Sequence, residues 1–246
     1  MRLTRIHVPA PLRAGSEITL PAQAGEHLTR VLRLATGAPF VMFDGEGGEY
    51  AAEIATTGKQ VRARVLRHDP IERESPLDIT LLQGIARGER MDLIVQKATE
   101  LGVARIVPVL TERSVVKVDA KQRERKREHW QSIVVSACEQ CGRNRVPRVH
   151  EVASLGDALK LLPDSSSRCL LAADATDSLA QAASRTAGAK LVLLIGPEGG
   201  LADHEERYAQ GSGFVSCRLG PRIMRTETAG LAALAALQAV AGDFRL

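Results

Sequence analysis

Leu191 to Ile195 is an unbroken apolar run of strand length. Such a run suits a strand covered on both faces, as in a parallel sheet enclosed by helices. It leads directly into Gly196-Pro197-Glu198-Gly199-Gly200, and a weaker strand candidate, Phe214 to Leu219, leads into Gly220-Pro221-Arg222-Ile223-Met224-Arg225. In open α/β sheets ligands bind outside the carboxyl ends of the strands, so the two loops are expected to form two walls of one site. Their glycines allow backbone groups to approach a planar ligand, and Ile223 and Met224 can supply an apolar wall. Thr226 reads as a helix cap with Glu227 in the first turn.

The surrounding pattern fits the same sheet. Leu77 to Leu82 predicts a strand, Met91 to Leu101 has helical spacing and stops at Gly102, and Arg105 to Leu110 predicts the next strand. A long helix is expected from about Ala120 to Cys141, with Trp130, Ile133, Val134, Ala137 and Cys141 inward. Helices near Leu155 to Leu162, Ser178 to Ala187, Asp203 to Gln210 and Thr226 to Ala241 then alternate with strands at Arg168 to Ala173, Lys190 to Ile195 and Phe214 to Leu219. This alternation argues for an α/β layered domain.

The first 70 or so residues read differently. Arg5 to Val8, Glu17 to Leu20, Pro39 to Phe43, Tyr50 to Ile54 and Val61 to Leu66 are short strand candidates, interrupted by one helix candidate, Gly25 to Leu34. They suggest a small closed or partly closed β-barrel. Asp44-Gly45-Glu46-Gly47-Gly48 is most simply a hairpin connection, with a phosphate loop as the alternative. The charged, proline-bracketed segment Asp69 to Pro76 is the expected linker, dividing the chain into domains 1–72 and 73–246.

With 246 residues, 44% of them hydrophobic, the chain can bury a sizeable core. The only long apolar stretch, Ala229 to Gly242, carries Gln238 and is too short for a bilayer, so no membrane span is expected. The amino terminus has no apolar core of signal-peptide length, which points to the cytoplasm and to four reduced cysteines. The net charge of +4 permits a polyanionic partner, yet residues 1–73 and 74–246 each net +2, so any basic patch must be local. Aromatic residues are only 3%, leaving few platforms for base stacking.

Neither the dinucleotide fingerprint, nor a Walker-type loop, nor a Gly-x-Ser-x-Gly elbow is present. Cys138-Glu139-Gln140-Cys141 has the spacing of a redox or half-zinc motif but falls within a helix pattern. Cys169 and Cys217 stand alone, so packing cysteines and no metal are expected. Lys121 to Glu128 is the densest charge run; it reads as a solvated helix face or a backbone-tracking surface. The arginine-rich loop Gly142 to Arg148 reads equally as a solvated helix end or a phosphate-binding loop.

Taken with Gly25-Glu26-His27-Leu28-Thr29-Arg30-Val31-Leu32-Arg33, Gln96 to Val103, Glu139 to Arg143, Ile195 to Gly200 and Leu219 to Ala229, the sequence resembles the RsmE family of 16S ribosomal RNA uridine-N3 methyltransferases, of the SPOUT class. The match spans nearly the whole chain. Cys141 stands where a serine is common and Met224 where leucine is usual, substitutions of similar volume.

The resemblance implies an α/β protein in which a PUA-like β-barrel for RNA precedes a parallel-sheet SPOUT domain with a carboxy-terminal trefoil knot. It also implies bound S-adenosylmethionine, a homodimer, and 16S ribosomal RNA or the assembled small subunit as partner. Leu171, Ala172 and Ala173, Ile195 to Gly200 (Ile195, Gly196, Pro197, Glu198, Gly199, Gly200), and Leu219, Gly220, Ile223, Met224, Arg225 and Thr226 are then expected to hold the cofactor. Arg225 is the first candidate to stabilise the uracil anion, with Glu198 or Glu227 orienting it or accepting the proton. Arg30, Arg33, Arg87, Lys97 and Arg143 are candidates for RNA phosphates. The alternative is a non-catalytic RNA-binding or ribosome-assembly protein of the same fold.

Overall fold

The computed structural model describes residues 3–115, 119–162, 166–184 and 190–244, and its chain divides into two compact units. The first comprises Met1–Glu74 together with Cys138–Val146, and the second Ser75–Ala137 with Pro147–Leu246.

In the first unit, β1 (Arg5–His7), β2 (Glu17–Thr19), α1 (Ala22–Glu26), β3 (Pro39–Phe43), β4 (Glu49–Thr56) and β5 (Arg62–Asp69) build a five-stranded sheet ordered β1-β3-β4-β5-β2. Irregularities in the β4–β5 pairing fall between Ala51 and Ala52 and between Ile54 and Thr56, where bulges increase local twist. Ile6, Leu20, Leu28, Phe40, Met42, Ile54, Val61, Ala63 and Val65 fill the concave side, and β1 and β2 remain the two ends, so the sheet is a half-barrel.

The helix expected over Gly25 to Leu34 is instead α1 followed by a π-helical turn, His27–Val31. The Leu32 N–H reaches back five residues to the His27 carbonyl, and the segment ends with Arg33 at φ 55°. Regular helical spacing would not show this wider turn. It buries Leu28 completely and leaves Val31 and Leu32 outside.

Asp44 to Gly48 connects antiparallel β3 and β4 as a hairpin. The phosphate-loop alternative fails because the Glu72 carboxylate already accepts the Gly48 N–H at 2.7 Å, and an anion there would meet a like charge.

The second unit holds β6 (Asp78–Gly84), α2 (Glu89–Glu100), β7 (Arg105–Leu110), α3 (Ala120–Cys141), β8 (Arg148–Val149), β9 (Ala153–Ser154), α4 (Leu155–Lys160), β10 (Ser167–Leu171), α5 (Leu179–Ser184), β11 (Lys190–Ile195), α6 (Asp203–Gly211), β12 (Val215–Cys217) and α7 (Thr226–Ala241), the last turn of α3 grouping with the first unit. All its strand pairings are parallel, in the order β12-β10-β11-β6-β7-β8, with β9 also on β7.

Leu191 to Ile195 is buried throughout. Val192 and Leu194 join a core with Leu155, Leu159, Ala209 and Phe214, which places α4 and α6 on that face. Alternation sends Ile195 to the other face, beside Gly230 of α7. Helix α7, rich in alanine, therefore lies close on the sheet, and α2 packs against it. No described helix is long and apolar enough to cross a membrane. The end of the helix expected to Ala187 lies outside the described residues.

Arg143 corrects the sequence expectation. Its side chain is only 7% exposed and its guanidinium is held by Glu74, so it braces the first unit instead of meeting a phosphate. Neighbouring Asn144 is fully buried, accepting from Arg5 at 2.5 Å and donating to the Ile71 carbonyl at 2.6 Å; Arg5 also pairs with Glu49. Cys138 is fully buried and burial pushes its thiol up to about 12, which removes the redox reading of Cys138 to Cys141.

Removing one partner of a buried ion pair strands the other charge. Glu74→Ala should therefore lower stability by roughly 2–4 kcal/mol, the partial exposure of Glu74 keeping the loss below the upper range for buried pairs. Urea unfolding of wild type and variant measures it.

Candidate functional site

Beyond the carboxyl ends of β10 and β11 lies a cavity of about 580 Å³, within the ordinary range for small-molecule sites. Three segments shape it. Leu171 at the end of β10 and Ala172 and Ala173 after it form the first wall, with the Ala172 N–H on the Cys217 carbonyl at 3.0 Å. After β11, Gly196, Pro197, Glu198 and Gly200 form a second wall, and before and within the first turn of α7, Ile223 to Glu227 form a third.

The loop after β11 is closed by hydrogen bonds and by missing side chains. Gly200 N–H donates to Pro197 O at 2.9 Å, and a Cβ on Gly196 would lie 3.0 Å from the Gly200 and Leu201 backbone. On the neighbouring strand a Cβ at Gly84 would lie 2.5 Å from Pro197 N and Cδ, so only glycine lets the strand end and the loop touch. Glu205, at the start of α6, accepts from Glu112 N at 3.0 Å and from Ala202 N at 2.9 Å, tying the loop to the segment after β7. Arg113 donates to Leu201 O at 2.9 Å.

Gly199 packs on Arg113, 3.0 Å from the position of an added Cβ to the Arg113 Cβ, and is the one residue of this loop that does not line the cavity. Leu219 and Gly220 line a smaller adjoining pocket of about 100 Å³, which shares Leu171 to Ala173, Ile223 and Met224 with the main cavity. Thr226 is not the cap: Arg225 occupies that position without a side-chain cap bond, while Thr226 is buried and donates its hydroxyl to Gly196 O at 2.6 Å.

Charged groups ring the opening. Glu198 accepts from the Arg87 backbone N–H at 2.9 Å and from Arg90 at 3.0 Å. Burial opposes its ionisation, but the backbone N–H groups of Arg87 and of Glu198 itself, with the Arg90 guanidinium, outweigh that and hold its pKa below the usual value. The Arg90 Nε lies 3.8 Å from Glu227 Oε1, while Glu227 Oε2 is buried without a partner among the described residues.

Arg113, Asp174 and Glu206, which periodicity did not single out, also line the cavity. Burial, then Asp174 and Asp203, raises the Glu206 carboxyl. The mixture of apolar wall, close backbone and both charges suits a ligand with a flat apolar part and a zwitterionic tail, and the orphaned Glu227 oxygen calls for a donor.

The RNA candidates are dispersed. Arg30 and Arg33 are exposed in the first unit, Arg30 pairing with Glu26 at 2.7 Å. Arg87 is exposed in the second, where Lys97 pairs with Glu100 at 2.8 Å.

Residues 73–238 match the model of the RNA methyltransferase domain, and residues 20–66 that of the RNA methyltransferase PUA domain. The chain is 36% identical to the ribosomal RNA small subunit methyltransferase E of Bacillus subtilis, over 86% of this chain and 85% of that protein. It is similar, at TM-score 0.92 and 38% identity, to the crystal structure of a ribosomal RNA small subunit methyltransferase E from Neisseria gonorrhoeae bound to S-adenosyl methionine, over 99% of this chain and all of that one. A putative methyltransferase from Legionella pneumophila, in complex with the same cofactor, matches at TM-score 0.91 and 38% identity, over 99% of this chain and 100% of its own.

Two measurements check the site's construction. Gly84→Ala should cost about 1–3 kcal/mol in thermal or urea unfolding, because the Pro197 backbone must move. A carboxylate whose folded pKa is depressed stabilises above its unfolded pKa and loses that contribution as pH falls through the folded value. The stability gap between wild type and Glu198→Gln should thus be constant near neutrality and narrow on acidification below the ordinary 4.5.

Proposed function

Because the chain belongs to the family of the ribosomal RNA small subunit methyltransferase E proteins, we propose that it transfers a methyl group from S-adenosylmethionine to N3 of one uridine in 16S ribosomal RNA. The observation that carries this reading is the cavity between the two glycine loops, in a chain that aligns over 99% of its length with a cofactor-bound relative.

Leu171 to Ala173, Ile195 to Glu198, Gly200, Ile223, Met224 and Thr226 are the residues to hold the cofactor, Arg225 contributing only its backbone to that wall and Leu219 and Gly220 extending it. When bound, S-adenosylmethionine supplies an electrophilic methyl group on a sulfonium. The chain's own task is to hold uridine N3 close and favour its deprotonated form, since protonated N3 is a poor nucleophile.

Arg225 is exposed at the amino-terminal end of α7, where its guanidinium and the helix dipole both favour negative charge. It is assigned to the developing uracil anion. Glu227, in the first turn of α7 and with a buried oxygen that has no partner among the described residues, is assigned to accept or relay the proton. Glu198 is engaged by Arg87 and Arg90 and held ionised, so it braces Arg90 and is a weak base.

Residues 1–72 are assigned to RNA positioning through Arg30 and Arg33, and 73–246 to cofactor and chemistry, with Arg87 and Lys97 as further phosphate contacts. The protein acts as a homodimer in the cytoplasm, on 16S ribosomal RNA or the assembled small subunit.

Labelled methyl transfer to small subunits lacking the modification tests the reading. Arg225→Ala should lower the rate about 10²- to 10³-fold with cofactor affinity retained. Mass spectrometry of the product should place the methyl on uracil N3; a methyl on another atom or base, or full activity in the variant, contradicts the assignment.

A further inference from the structure

We infer that Gln83, the penultimate residue of β6, is a positioning residue that sets the spacing of the two cofactor loops through a one-way hydrogen-bond relay. Gln83 is fully buried, and its backbone lies in register with Ile195 of β11. Its side-chain nitrogen is 2.9 Å from the Gly84 carbonyl and 2.9 Å from the Thr226 hydroxyl, and that hydroxyl is 2.6 Å from the Gly196 carbonyl.

Donor and acceptor chemistry fixes every direction. The Gly84 carbonyl only accepts, so the amide nitrogen must face it. The Gly196 carbonyl also only accepts, so the single Thr226 proton goes there, and the hydroxyl must accept from Gln83. Three segments distant in sequence are thereby joined: the end of β6, the loop after β11 and the first turn of α7.

The second observation is a mismatch. Gln83 Oε1 is buried with no partner among the described residues, beside the position where a Cβ on Gly230 would lie 3.4 Å away. An apolar side chain of similar size would fill the same place without an orphaned acceptor, so packing alone does not favour glutamine here. What the amide adds is direction: it holds the Thr226 hydroxyl on Gly196 O. Both residues line the cavity while Gln83 does not, so it acts through them. The inference rests on the proposed cofactor role of that cavity.

The test uses Gln83→Met, Thr226→Val, Thr226→Ser and the double variant Gln83→Met/Thr226→Val. Calorimetry with S-adenosylmethionine, steady-state kinetics and melting temperature are measured for each. Gln83→Met and Thr226→Val should each weaken cofactor binding about tenfold, and the double variant no more than either alone, because each breaks the same relay. Thr226→Ser, which keeps the hydroxyl, should bind within about twofold of wild type. KM for S-adenosylmethionine should rise in the two broken-relay variants while KM for the RNA stays unchanged.

Wild-type binding combined with a Gln83→Met affinity within about twofold of it, or fully multiplicative losses in the double variant, overturns the relay alone. If Gln83→Met does not fold, the threonine pair decides: equal losses in Thr226→Val and Thr226→Ser overturn it. A wild-type protein that binds no S-adenosylmethionine overturns the functional reading and the relay with it.

Discussion

The contact on which the second unit's architecture turns is backbone on backbone: the end of β6 at Gly84 meets the Gly196–Pro197 peptide, with no room for a side chain between them. That approach brings the loop after β11 inward. The Thr226 hydroxyl then secures it to the start of α7, and Arg113 and Glu205 hold its far end through backbone groups. Glycine is therefore used here for proximity. At Gly200, with φ 69°, it also serves for a conformation that other residues resist. The cavity between the loops follows from that closure.

Charge is distributed with the same economy. Of the arginines singled out in the sequence, one is a brace in the first unit, held by Glu74, and the exposed ones divide between the two units. Around the cavity, Arg90 stands between Glu198 and Glu227 and leaves one buried carboxylate oxygen open. A site that must bind a zwitterionic cofactor and favour an anionic base needs acids and arginines in fixed places, and ion pairs at its rim supply that order.

Much of this was legible in the chain. Leu191 to Ile195 announced a two-sided strand, the alternation after residue 74 announced a parallel sheet, and the two glycine loops lie where such sheets bind ligands. Other features are written in tertiary contacts that no local pattern encodes. Arg143 and Glu74 are 69 residues apart, and their pairing with the first unit is invisible to periodicity. The two-residue strands β8 and β9 are too short to show alternation, and the π-helical turn at His27–Val31 mimics an ordinary helix in sequence. Arg113, Asp174 and Glu206 reach the cavity only because the segments after β7 and β10 and the first turn of α6 converge there. Gln83 follows the apolar pair Leu81–Leu82 in β6, and a glutamine at a buried strand position was the available signal.

In the proposed function the two glycine loops jointly hold S-adenosylmethionine. Hydrogen–deuterium exchange with and without the cofactor tests it most directly, because backbone amides report which segments a ligand orders. Residues 195–200 and 219–226 should be protected together, with 171–173 following. Protection confined to one loop, or protection in the first unit instead, would contradict it.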